Sequence, residues 1–208
     1  MKILSIIVTS VFISCDSNFI PDPIDPRLPK YSNGGYNTAG ALINHDVWIS
    51  RSYTESYWDA GWGAPEWIEI FHNGSSIIAD STNNSLILHF FGLISTDSTT
   101  LEFHLTGLNI NAINDFSYLK EQKIQLDGTA NMGVCIRYRG TNDSTKYIKK
   151  GGVGQLYIKN VSVIDSLKST TLSGTFGFSV NPSTADTFEV SYGRFDYTFV
   201  EGKNLEFE

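Results

Sequence analysis

Along much of the chain apolar and polar side chains alternate, and this period of two is the strongest constraint on what the chain can fold into. Leu172, Gly174, Phe176, Phe178 and Val180 alternate with Ser173, Thr175, Gly177 and Ser179. Met132, Val134, Ile136 and Tyr138 alternate with Gly133, Cys135, Arg137 and Arg139. Such spacing places one set on each face of a strand. Phe188, Val190 and Tyr192 keep one parity, and Phe195, Tyr197 and Phe199 the other. The flip at Gly193-Arg194 predicts a β-bulge. Short runs of Ser, Thr, Asn, Asp and Gly separate the strands, and only a turn near Asn111 to Phe116 reads as helical. The expected class is all-β, a single antiparallel β-sandwich or β-barrel.

One hairpin is legible residue by residue. Leu86 to Leu93 and Thr100 to Gly107 flank Ser95-Thr96-Asp97-Ser98. Pairing Leu86, Leu88 and Phe90 with Gly107, Leu105 and Phe103 makes one face apolar throughout, and a slip of one residue would scramble both faces. This register sets His89 across from His104, with Cβ atoms roughly 5 Å apart. Two such imidazoles form a candidate metal site if a third ligand, Glu102, converges. The plainer reading is a half-exposed polar pair.

The N-terminus carries different information. Lys2, an apolar stretch and Ser14 precede Cys15, the layout of a secretory signal. The stretch is shorter than the roughly 20 residues of a membrane-spanning helix. Phe12-Ile13-Ser14 resembles a lipobox, with Phe12 where leucine is usual. Residues 1–14 therefore read as a lipoprotein signal peptide and Cys15 as the lipid-bearing residue, whose several acyl chains anchor stably. Pro21, Pro23, Pro26 and Pro29 crowd the next stretch, so 15–35 reads as a tether, in which the fifteen residues from Asp16 to Lys30 extend to at most roughly 45 Å. The β-rich domain is then 36–208. The predicted location is the cell envelope, on the periplasmic or surface face of the outer membrane.

Composition excludes some functions. The net charge of −7 argues against nucleic-acid binding, which needs a basic face. With Cys15 lipidated, Cys135 is the single remaining cysteine of two, which rules out a disulfide framework. No CxxC, HExxH or GxSxG motif occurs, so no catalytic residue and no cofactor is assigned. Lys150-Gly151-Gly152-Val153-Gly154 lacks P-loop spacing and reads as a hairpin turn. Cys135 alternates with Arg137 and Arg139, and reads as an inert sheet thiol unless exposed.

All four tryptophans lie between Trp48 and Trp67, with Tyr53, Tyr57, Glu55, Asp59 and Glu66 interleaved. Gly61, Gly63 and Pro65 suggest a loop from Tyr57 to Pro65, with Trp48 and Trp67 in the core. Rings beside carboxylates suit sugars, so Tyr57, Trp58 and Trp62 are candidate ligand contacts. The alternative is an aromatic flap packed on the barrel end. Asp80-Ser81-Thr82, Asp97-Ser98-Thr99, Asp143-Ser144-Thr145 and Asp165-Ser166-Leu167 resemble the sites at which Bacteroidetes O-glycosylate exported proteins. That marks Ser81, Ser98, Ser144 and Ser166, all in predicted turns, where such residues also occur for turn chemistry alone.

Thr38 to Trp48 resembles the opening hairpin of small Bacteroidetes lipoproteins of unknown function, with His45 in place of a turn glycine. Ser173-Gly174-Thr175-Phe176 and Gly193-Arg194-Phe195-Asp196 resemble their closing "SGTF…GRFD" hairpin. The resemblance implies a β-rich exported domain and supplies no catalytic residues. The resulting expectation is a monomeric, membrane-anchored domain that binds a glycan, a small molecule or an envelope protein. The alternatives are a hydrolase using acids near the aromatic segment 53–67, and a purely structural envelope lipoprotein.

Overall fold

The alternating runs are strands. In a computed structural model, residues 21–23, 25–50, 53–59, 66–72, 74–139, 146–149, 151–180 and 187–208 are described, with the backbone alone over 53–59, 66–72, 138–139 and 146–149. Among these the strands are β1 (Thr38–Ile43), β2 (Asp46–Ser50), β3 (Tyr53–Asp59), β4 (Glu66–His72), β5 (Ser75–Asp80), β6 (Ser85–Ile94) and β7 (Asp97–Thr106). After them come β8 (Gln122–Asp127), β9 (Met132–Arg139), β10 (Lys146–Lys149), β11 (Val153–Ile164), β12 (Ser169–Val180), β13 (Phe188–Val200) and β14 (Leu205–Phe207). The expected turn is a 3-10 segment at Ile113–Leu119. The Asp115 carboxylate accepts the Asn111 and Ala112 N–H groups there, both at 2.9 Å.

The main sheet runs β10-β9-β7-β6-β2-β1-β13-β12-β11-β8, with β5 added to β6 and β14 to β5. The β14–β5 pair is parallel, so the sheet is mixed rather than wholly antiparallel. It curls into a half-barrel. Its inner face is filled by rings: Phe90 lies 5.1 Å from Phe195, 5.5 Å from Tyr197 and 5.7 Å from Phe103, centre to centre. Trp48 is fully buried, as expected.

The β6–β7 hairpin differs from expectation in register. Ser95-Thr96 alone forms the turn, with Ser95 left-handed at φ +56°, and Ile94 pairs with Asp97. Leu86, Leu88 and Phe90 face Leu105, Phe103 and Leu101, all buried. The shift is two residues, which leaves every side chain on its expected face. His89 therefore lies across from Glu102, and His104 across from Ile87.

The bulge is present, centred on Tyr192 (φ +53°) just before Gly193. Phe176 pairs with Gly193 and Phe178 with Val190, so β13 carries one extra residue against β12. Gly193 has no alternative here: a Cβ would fall 2.3 Å from the Phe176 ring.

Gly151-Gly152 does not close a hairpin, because β10 pairs with β9 while β11 pairs with β8 and β12. The glycines instead carry the chain from one end of the strand order to the other. The Gly152 N–H donates to Val134 O at 3.1 Å, and a Cβ on Gly128 would lie 2.9 Å from Gly151 O. Backbone meets backbone there, at a seam where β9 approaches β8 and β11.

The described part of the proline-rich stretch does not run as an extended spacer. Pro21 bridges Pro29, and the Asp22 N–H donates to Leu28 O at 2.9 Å, closing a loop. Leu28 and Pro29 are buried against the sheet. Arg194 Nη1 reaches Asp22 at 2.5 Å. The buried Asp196 carboxylate accepts N–H bonds from Gly34 (3.1 Å), Gly35 (2.8 Å) and Tyr36 (3.2 Å), and a further bond from Ser32 Oγ. Residues 21–23 and 25–36 therefore form a strap held by the Arg194 and Asp196 of the closing motif.

Candidate functional site

The outward face of β6, β7 and β9 gathers the chemistry. Inward positions alternate as Leu101, Phe103 and Leu105 on β7 and Val134 and Ile136 on β9, so Glu102, His104, Cys135 and Arg137 point outward. Glu102 pairs with His89 on one side and with Cys135 on the other. Although outward, Glu102 is 5% exposed and Cys135 4%.

Glu102 is the hub. His104 Nε2 lies 2.5 Å from its Oε1; Arg137 Nη2 lies 2.7 Å and His89 Nε2 3.3 Å from its Oε2. The two imidazoles meet through this carboxylate rather than directly. Burial works to raise the Glu102 pKa. Hydrogen bonds from His104 and His89, with the charges of His89 and Arg137, outweigh it and hold the carboxyl well below the usual range. An ionised carboxylate only accepts, so the Nε2 of each histidine donates toward it. His89 Nδ1 lies 3.2 Å from Ser76 Oγ on the other side of the ring.

This arrangement does not suit a metal. Arg137 already supplies a fixed cation at the carboxylate. Among the described residues, no group of three or more His, Cys, Asp or Glu side chains has the geometry to hold a metal ion.

Beside the hub lies a cavity of about 400 Å³. Glu102, His104 and Arg137 form its polar side; Val134, Cys135 and the Gly128-Thr129-Ala130 turn form much of the rest. Gly128 (φ +83°) and Gly151 (φ +83°) bound it where the seam closes. The turn is self-supporting: the Thr129 N–H donates to Asp127 Oδ1 at 2.9 Å, and the Met132 N–H to Thr129 Oγ1 at 3.1 Å. Cys135 is thus both buried and cavity-lining.

The other candidates are dispersed. Tyr57 and Trp58 belong to β3, paired with Ile68 and Trp67 of β4, so the segment from Tyr57 to Asp59 is strand rather than loop. Trp62, Ser144 and Cys15 lie outside the described residues. Ser81 is exposed in a turn and Ser166 in a short 3-10 segment. Ser98 is in β7, paired with Leu93 and half-buried, not in a turn. Arg137 was not singled out for this role by sequence reasoning, because its neighbours depend on the β7–β9 pairing across an intervening strand and 3-10 segment. The chain matches no protein-family model, no curated protein and no solved structure.

Proposed function

We propose that this protein is exported, held at the cell envelope by lipid on Cys15, and binds a small ligand in the cavity beside Glu102. The cavity carries the reading. Its volume falls within the usual 300–1,000 Å³ of ligand sites, and a few convergent polar groups meet apolar walls there. The hub beneath it is pre-formed, so little ordering opposes binding. The signal-like start and its cysteine support the anchor.

The two parts are tested separately. Radiolabelled palmitate is expected to label the full chain in its native host and not the Cys15→Ala variant; equal labelling would overturn the anchor. A metabolite panel read by thermal shift is expected to yield compounds that raise the melting temperature. A ligand at 100 times its Kd stabilises by about 2.7 kcal/mol. The same compounds should shift Ala130→Leu, which narrows the cavity, less. Equal shifts in both proteins would place binding elsewhere.

A further inference from the structure

We infer that the seam cavity takes an organic carboxylate, its acid group on the Arg137 guanidinium and its apolar body against Ala130 and the Gly128 and Gly133 backbone. The inference rests on the cavity being a ligand site and names the ligand class. The graded exposure of the hub carries it. The Glu102 side chain is sealed at 6% exposure, whereas that of His104 is 34% and that of Arg137 59% open. An incoming molecule therefore meets chiefly the open guanidinium of Arg137. Glu102 Oε2 lies 2.7 Å from Nη2 and holds the guanidinium at the cavity by an ion pair. A planar guanidinium suits carboxylate, which it can grip with two parallel N–H bonds.

Charge and shape agree. The Arg137 charge offsets that of Glu102. Asp127, the carboxylate next to the Gly128 turn, is directed onto the Thr129 N–H at 2.9 Å. Ala130, Gly128 and Gly133 offer apolar surface without an aromatic ring. That favours an apolar body over a sugar, whose C–H face packs best on a ring.

Calorimetry on the full chain in detergent tests this with benzoate, benzyl alcohol and inorganic phosphate. Benzoate is expected to bind at least tenfold more tightly than benzyl alcohol. Arg137→Gln should weaken benzoate at least tenfold, and Arg137→Lys, which keeps charge beside Glu102 without the fork, should also weaken it. Ala130→Leu, which narrows the cavity, should weaken binding at least tenfold with an unchanged melting temperature, which separates lost binding from lost folding. If benzyl alcohol equals benzoate and both Arg137 variants change nothing, the ligand class is wrong while the cavity remains a ligand site. Phosphate binding without benzoate binding would replace the organic carboxylate by a phosphate group. If none of the three binds and the metabolite panel is also silent, the ligand-site reading itself falls.

Discussion

At the scale of single residues, Glu102 decides the character of the outward face. A carboxylate this buried is tolerable only because His104, His89 and Arg137 surround it. Removing it strands an arginine and two imidazoles that are oriented around it. Glu102→Ala is expected to cost about 3 kcal/mol in denaturant unfolding. The pH dependence follows from the direction of its shift. The folded carboxyl titrates below its unfolded value of about 4.3. Its stabilisation is therefore complete above that pH and is lost as pH falls toward the folded value. Below about pH 4 the wild-type melting temperature should fall more steeply than that of Glu102→Gln; parallel acid limbs would show that the network contributes nothing.

At the scale of elements, the strap is the part least visible from sequence. Four prolines in nine residues suggest an extended spacer, yet one buried side chain, Leu28, and one buried acceptor, Asp196, fold the stretch onto β1 and β13. Neither contact has a local signature, since Asp196 lies about 160 residues beyond the N–H groups that it accepts. Asp196→Ala leaves three backbone donors without this acceptor. It is expected to cost about 2 kcal/mol and to open residues 22–35 to limited proteolysis, while cleavage elsewhere stays slow. Unchanged cleavage would mean that Arg194 and Leu28 suffice.

The strands themselves were largely legible, because alternation is a local property. The parity flip at Gly193-Arg194 marked the bulge, displaced by about one residue to Tyr192. The β6–β7 register was not legible. A shift by two residues preserves both faces, so hydrophobic patterning cannot see it, and only the two-residue Ser95-Thr96 turn decides. The same shift decides the site. It puts Glu102 opposite His89, where the sequence reading has a histidine pair.

At the scale of the whole molecule, the curl of the sheet makes the cavity by bringing β9 toward β8 and β11. Gly128 and Gly151 sit at the closure with left-handed backbones in near contact. Gly128→Val adds a branched side chain at φ +83° and pushes its Cβ to 2.9 Å from Gly151 O. The conformational part alone costs about 1–2 kcal/mol. Hydrogen exchange is expected to accelerate at Gly152 and across β9, with β12 and β13 unaffected. Uniform acceleration would show that the seam is not a separate unit. The sequence could not reveal this seam, because a glycine run between two strands reads as a hairpin until the pairing of β10 and β11 is known.

The central claim, that the seam cavity receives a ligand, is tested most directly by amide NMR of the full chain titrated with benzoate. Saturable shifts concentrated at Thr129, Gly133, Cys135 and Gly151, needing at least tenfold more benzoate in Ala130→Leu, are predicted. Saturable shifts elsewhere, or none at these four amides up to millimolar benzoate and with every compound of the metabolite panel, would contradict it.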